Sequence, residues 1–325
     1  MRLLKINKIY SMFIPPGTSL LNANVYFIND EIKTIIDTGI PFTLTLDRLK
    51  HILKILNMKR IDRVIITHCH IDHYANAGFL QKHFDCEIFA HVNSIPILSK
   101  KNRSFNYQDF EYLEFIETSF PFLNKKRMEH PIIKNFINFV YKFYHGNTIP
   151  VHDITKLKHG SSISCGKTTL NVIYTPGHSD DSICLYDPNL KIIFTGDTIP
   201  FTPYIHTSIS DIKKSVKSII SLDINYAFRG HCHFPHRWSH ELPLYLDFLD
   251  SMKIAQLRIL IALKKKGPLS LSKIVPLMYE RTHAAHTTLY RIMHIDHIWA
   301  LKYLQHLQKL GLVDLDNNKY FLKNH

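Results

Sequence analysis

No stretch of this chain is long and apolar enough to cross a bilayer, which takes about 20 consecutive apolar residues. Internal repeats, low-complexity tracts and Gly/Ser linkers are missing as well. The opening run MRLLKINKIYSMFIPPG lacks the continuous apolar core of a secretion signal, because Lys5, Lys8 and the Pro15-Pro16-Gly17 break divide it. Cysteine is sparse and odd in number: Cys69, Cys86, Cys165, Cys184 and Cys232 are scattered and form no disulfide framework. These absences lead us to expect a soluble, cytoplasmic protein with no membrane partner. No Gly-rich phosphate loop and no Ser-His-Asp or Cys-His nucleophile set is visible, so the chemistry has to come from elsewhere.

Histidine is what the chain has in excess. It carries 22, several grouped with Asp and Cys, and neutral imidazole is the commonest protein ligand for transition metals. Hydrophobic residues make up 45% of the 325, enough for a proper core, and the length suits about two domains of ~150 residues. The formal net charge of +13 favours anionic partners, although a basic composition alone is a weak pointer.

Apolar patterning divides the chain into short strands and amphipathic helices. NVYFINDEIKTIID at 24–37 reads as two strands about a polar turn, and Leu46, Leu49, Ile52, Leu53 and Leu56 repeat at helical spacing. RVIIT at 63–67 is a β-branched strand, followed by a helix over 74–83 and the strand EIFAH at 87–91. Residues 101–150 break this rhythm with an aromatic-rich, helical pattern that suits a lid, a homodimer contact or simple packing. Strands return in TTLNVIYTPG, SICLYD and KIIFTGD, then a helix over 208–222 and a strand at 224–228. This alternation implies an α/β layered domain. Past Asp250 the pattern becomes three helices at 253–265, 270–280 and 297–310, ended by Gly311 and a hairpin about Asp316-Asn317-Asn318. That is the layout of a winged helix. Residues 251–325 hold 12 Lys and Arg against 4 Asp and Glu. The expected division is a catalytic domain over 1–250 and a winged-helix domain over 251–325.

The densest histidine cluster, T-H-C-H-I-D-H, places His68, His70, Asp72 and His73 directly after an apolar strand, where α/β sheets put their ligands. A loop there turns alternate side chains to two neighbouring points, so that His68 and His70 grip one ion while Asp72 and His73 grip a second. His178 in T-P-G-H-S, Asp197 in F-T-G-D and His231 in R-G-H follow, each at a strand end beside a glycine. Singly, each has an ordinary reading as a turn or a hydrogen-bonded core residue. As an ordered set they do not.

This set resembles the five motifs of the metallo-β-lactamase superfamily over roughly residues 10–245. The resemblance implies an α/β fold, the metallo-β-lactamase αββα sandwich, here with a C-terminal winged-helix domain. It implies that Asp37 in I-I-D-T-G supports the metal loop without binding metal. His68, His70 and His178 would hold one ion and Asp72, His73 and His231 the other, with Asp197 bridging. Within the superfamily, T-P-G-H-S-D-D-S, the helical insertion and the winged helix look like the lactamase-β-like-protein-2 group. That group includes hydrolases of esters or thioesters and endoribonucleases. The chain departs from the group after its last motif, where Gly230-His231-Cys232-His233-Phe234-Pro235-His236 replaces the usual Gly-His-Gly-Pro, and this alters the rim of the site.

Such a ligand set suits two divalent ions, zinc first, with Mn²⁺ or Fe²⁺ as alternatives. Two ions sharing a water make hydroxide near neutral pH, which attacks a carbonyl or phosphorus, while Asp72 orients it and carries a proton. The leading expectation is therefore a hydrolase of a small-molecule ester, thioester or lactone. A ribonuclease or other phosphodiesterase is the alternative, with RNA as partner, and a persulfide dioxygenase or a DNA-binding module stands behind it. Cys69 and Cys232 are either replacement ligands or filler. His233, His236 and His240 could face an anionic substrate, and Tyr204 could donate a proton. His297, Lys302, Gln305, His306 and Lys309 are the polar positions of the last helix that would meet phosphates.

Overall fold

The computed structural model describes residues 4–12, 23–40, 43–99, 130–132, 135, 139, 148–198, 208–231, 235–278 and 295–323. Two sheets form its centre. The first has seven strands in chain order: β1 (Leu4–Ile6), β2 (Ile9–Met12), β3 (Val25–Asn29), β4 (Lys33–Ile36), β5 (Arg63–Ile65), β6 (Glu87–His91) and β7 (Ile154–Leu157). Pairing is antiparallel from β1 to β4 and parallel from β4 to β7. The second sheet holds β8 (Ser162–Ser164), β9 (Thr169–Tyr174), β10 (Ile183–Asp187), β11 (Ile192–Gly196), β12 (Tyr226–Arg229) and β13 (His236–Arg237). Here only β11 and β12 run parallel, among the described residues.

Strand alternation builds the layers. On β3, Tyr26 and Ile28 face the second sheet, where they meet Phe194 and Phe228, whereas Val25 and Phe27 face outward onto Leu49, Ile52 and Leu53 of α1 (Thr43–Ile55). On β11, Ile192 and Phe194 point between the sheets, and Ile193 points outward onto Val216 and Ile219 of a helix over Ile209–Ile220. The order helix, sheet, sheet, helix is the αββα sandwich expected from the sequence. Phe194 anchors the middle layer: it is fully buried, meets Tyr26 edge-on at 5.2 Å and stacks on Phe228 at 4.8 Å. Truncating such a ring costs about 3–5 kcal/mol.

The remaining helices are α2 (Ile71–Tyr74), α3 (Ala77–Phe84), α4 (Ile95–Leu98), α5 (Ile209–Ile220), α6 (Trp238–Lys266), α7 (Leu271–Ile274) and α8 (Ile295–Lys309), with a closing hairpin of β14 (Val313–Asp316) and β15 (Lys319–Leu322). Ser208 caps α5 by accepting the Asp211 N–H at 3.1 Å. The helix expected over 74–83 is broken into α2 and α3. The break falls at Asn76, whose side-chain amide donates to the carbonyls of Thr38, Gly39 and Ile40 and ties the helices to the loop after β4. The helix expected over 253–265 instead starts at Trp238, so it passes without interruption through Asp250. Its inward residues Tyr245, Met252 and Ile259 share one core with Ile212 and Val216 of α5 and with Tyr303 and Leu304 of α8. Lys302, read from the sequence as an outward polar position, is only 3% exposed. The hairpin gains a third partner where Leu269 exchanges backbone hydrogen bonds with Tyr320. Most of the 101–150 insertion, and Tyr204, Cys232 and His233, lie outside the described residues. Among the described residues no helix is long and apolar enough to cross a membrane.

Candidate metal centre

The parallel strands β4, β5, β11 and β12 all end on one edge of the sandwich, and the loops after them carry Asp37, the 67–73 segment, Asp197 and His231. The loop between β9 and β10 adds His178. The fold thus brings all seven residues expected as ligands together, in two groups. His68, His70, His178 and Asp197 form one, and Asp72, His73 and His231 the other, with the donor atoms of each group within 4.8 Å of one another.

In the first group the imidazoles converge on His70 Nδ1, which lies 2.9 Å from His68 Nε2 and 2.7 Å from His178 Nε2. A ring nitrogen offers one lone pair or one N–H, so it cannot serve both neighbours well by hydrogen bonding. A cation at the meeting point uses all three lone pairs at once. Burial holds His68 and His70 well below the usual histidine range, with the neighbouring rings adding to the effect. These rings are therefore neutral, the form that ligates. Thr67 Oγ1 donates its own proton to Asp37, so it accepts a hydrogen bond from His68 Nδ1–H, 3.2 Å away, and leaves Nε2 facing the centre.

The second group is governed by carboxylates. His73 is completely buried, which opposes its charge, but Asp197, Asp37 and Asp72 outweigh burial and raise its pKa to about 10. His231 is raised well above the histidine range in the same way, against burial, by Asp197 and Asp72. Burial alone would raise Asp72, yet His73 and His231 hold it well below the usual carboxylate range. Asp72 Oδ2 lies 3.1 Å from His231 Nε2 and 3.8 Å from His73 Nε2. Asp197 reaches both groups: its Oδ2 is 3.2 Å from His231, 3.5 Å from His73 and 3.5 Å from His178. Its Oδ1 and His73 Nε2 are buried without a hydrogen bond. A buried Asp197 oxygen left without a hydrogen bond, beside a buried imidazole nitrogen that has only longer charged contacts, fits a resident divalent ion.

Backbone close approach makes this packing feasible. A Cβ on Gly230 would stand 2.0 Å from Asp197 Oδ1, so only glycine leaves room for that carboxylate. Gly196 has φ +49°, and a Cβ there would sit 2.9 Å from Thr67 Oγ1.

Asp37 supports the second group. Its left-handed backbone (φ 57°) turns the carboxylate inward, where it accepts the Thr67 N–H at 2.8 Å, the Thr67 hydroxyl at 2.8 Å and a His73 Nδ1 contact at 2.7 Å. Reasoning from sequence missed Thr67 and Asp181 altogether. Asp181 is buried and accepts from Cys69, Ser94 and Ser179. Its signal was its place inside the T-P-G-H-S-D-D-S motif, three residues after His178, to which no role was given. The sulfur of Cys69 points away from the centre to the Ser94 carbonyl, 3.7 Å distant, so it is no replacement ligand. His236 faces Glu241 at 3.3 Å rather than an open rim, and Glu241 also lies 3.6 Å from Arg229 behind the His231 turn.

Known proteins with related sequences and folds bear on this geometry. Acyl-coenzyme A thioesterase MBLAC2 of Gallus gallus is 31% identical over 164 residues, 49% of this chain and 50% of its own length. Hydroxyacylglutathione hydrolase of Francisella tularensis subsp. tularensis is 38% identical over 64 residues, 20% of this chain and 25% of its own. The chain thus spans half or less of the length of these curated relatives. Among solved structures, a beta-lactamase domain protein from Burkholderia ambifaria superposes with a TM-score of 0.72 at 18% identity, covering 99% of this chain and 93% of that one. A metallo-beta-lactamase family protein from Thermus thermophilus gives 0.68 at 18% identity, covering 98% and 99%. These two structures establish the fold. The metallo-beta-lactamase superfamily model matches residues 18–231, more than half the chain and every residue of the two histidine groups. The chain belongs to the metallo-beta-lactamase superfamily.

Proposed function

We propose that this chain is a divalent-metal-dependent hydrolase of small-molecule acyl thioesters. The observation that carries the reading is the convergence of three imidazole nitrogens beside a buried carboxylate that also reaches a second His and Asp group. His68, His70 and His178 would hold one ion, Asp72, His73 and His231 the other, and Asp197 would bridge. The donor set of imidazoles and carboxylates suits zinc, with Mn²⁺ or Fe²⁺ as alternatives. When bound, such a pair supplies a water acidic enough to ionise near neutral pH and a Lewis acid for an acyl oxygen.

The chain's own residues do the rest. Asp72, held ionised and about a sixth exposed, would accept the proton that the attacking water gives up and pass it to the departing thiolate. Asp197 offsets the charge repulsion between two cations. Asp37 fixes the ring of His73 through Nδ1, so its Nε2 faces inward. Thioesters are chosen over other esters and lactones because one relative is named an acyl-coenzyme A thioesterase and another a hydroxyacylglutathione hydrolase, and both named substrates are acyl thioesters. RNA cleavage is the second reading, favoured by the basic C-terminal section. A catalytic part over 1–250 and a winged-helix part over 251–325 remain part of the proposal. The hairpin and its bridge to Leu269 support the winged-helix reading.

Elemental analysis of the purified chain, joined to a panel of acyl-CoA, acylglutathione, lactone, phosphodiester and RNA substrates, tests the reading. Metal-dependent thioester cleavage is the expected result. Cleavage of RNA with no action on any thioester overturns it in favour of the second.

A further inference from the structure

Three imidazoles meet within 3 Å only if two loops from different sheets are held in register. His68 and His70 follow β5 of the first sheet, and His178 precedes β10 of the second. One buried carboxylate spans that gap. Asp181, 2% exposed, accepts the backbone N–H of Cys69 at 2.8 Å and the Ser94 hydroxyl at 2.8 Å through Oδ2, and the Ser179 hydroxyl at 2.6 Å through Oδ1. Cys69 lies between His68 and His70, and Ser179 follows His178. The three donors come from the loop after β5, from the turn that opens α4 and from the loop before β10. The Ile183 N–H to Thr67 carbonyl bond, 2.9 Å, is the backbone counterpart of the same tie.

We infer that Asp181 is the positioning residue for the imidazole half of the centre: it sets the spacing of His68, His70 and His178 before any ion arrives. The inference rests on the metal reading above and adds a division of labour to it. The hydrogen bonds of Asp181 go to Cys69, Ser94 and Ser179, all beside the imidazole half, and those of Asp37 go to Thr67 and His73. Asp181 is therefore tied to the imidazole half alone, whereas Asp37 meets His73 directly and reaches His68 only through Thr67. Neither carboxylate needs to touch an ion to control affinity, because outer partners of ligating side chains commonly change metal affinity by about 10–100-fold.

The test is a zinc titration of the metal-free full-length chain against a chromophoric chelator, together with melting of the metal-free protein. Asp181→Asn should weaken one zinc equivalent by about 10–100-fold and leave the other unchanged. Asp37→Asn should weaken the opposite equivalent most, with a smaller effect on the imidazole one through Thr67. In a His68→Ala background, which already lacks the imidazole half, Asp181→Asn should change nothing further in the equivalent that remains. Ser94→Ala removes one of the two donors to Oδ2 while keeping the carboxylate, and should weaken the same equivalent less. It serves if Asp181→Asn does not fold. Two equivalents of wild-type affinity in both variants overturn the inference. So does an equal loss of both equivalents accompanied by a lower melting temperature, which marks general destabilisation. A wild-type chain that binds fewer than two equivalents instead defeats the underlying metal reading, and this inference with it.

Discussion

The two halves of the candidate centre set the charge of their rings by opposite means. Around His68 and His70 the protein removes water and surrounds each ring with other rings, so charge is disfavoured and the lone pairs stand ready. Around His73 and His231 it supplies carboxylates, so the rings hold protons that an incoming cation has to displace. The contrast teaches that burial alone does not fix a histidine's state: His68 and His73 are both buried, and their shifts have opposite signs. What differs is whether an acidic side chain lies close enough to outweigh desolvation.

The largest expected effect erases the contrast by acting on both halves. Asp197→Asn keeps the shape but removes the charge that both groups share. We expect loss of one metal per chain by elemental analysis and a fall in kcat on the order of 10³-fold, ~4 kcal/mol in barrier, with a much smaller change in KM. Two tightly held metals with a near wild-type rate would defeat the shared-carboxylate arrangement.

Next come His68→Ala and His178→Ala, which each remove one imidazole of the neutral half. Both should lose that half's metal and most activity while circular dichroism and melting stay close to wild type, since the sheets do not depend on the ion. Retention of two metals would remove these residues from the ligand set.

Asp37→Asn sharpens the contrast from the other side. It weakens the hold on His73 without touching an ion, so thioester turnover at limiting zinc should fall by about 10–100-fold and recover as zinc is raised. A rate loss that no zinc concentration restores would mean that Asp37 does more than orient a ligand.

The gentlest probe is pH. Zinc uptake by the carboxylate half expels the proton of His73, whose pKa is raised to about 10, so affinity there should climb steadily from about pH 6 to 9. Burial holds His68 and His70 well below the usual histidine range, so they have little proton to expel there and affinity of the imidazole half should stay nearly level. Chelator-competed titrations at three pH values read the two slopes directly, and equal slopes would dissolve the distinction.

Much of this was legible in the chain, for identifiable reasons. His68, His70, Asp72 and His73 sit within six residues behind a β-branched strand, and Asp197 and His231 each follow a glycine at a strand end. Local patterns of that kind survive folding unchanged. Asp181 and Thr67 were not legible, because their roles consist of contacts made across 112 and 30 residues of chain. The short edge strands β1, β7, β8 and β13 escaped for a similar reason: each is four residues or fewer, and pairing defines them more than any internal periodicity does. The start of α6 was hidden by Pro243 and by the polar run before it. Its true extent shows only in the inward row from Trp238 through Tyr245 to Met252.

That 29-residue helix has a mechanical consequence. At ~1.5 Å of rise per residue it is a beam roughly 43 Å long. A hinge needs a few residues whose torsions are free to turn, and inside a helix each residue is braced to the fourth before it. The polypeptide beyond Asp250 is therefore braced against the sandwich rather than hung on a joint, since Met252 and Ile259 share one core with Ile212 and Val216 of α5. The beam's root is fixed where Trp238 donates to the Asn225 carbonyl, beside the strand that presents His231. Its weak section is Pro243, which leaves one brace unmade. The missing brace lies about a turn and a half from the root, and not at the midpoint where the sequence alone suggested a seam.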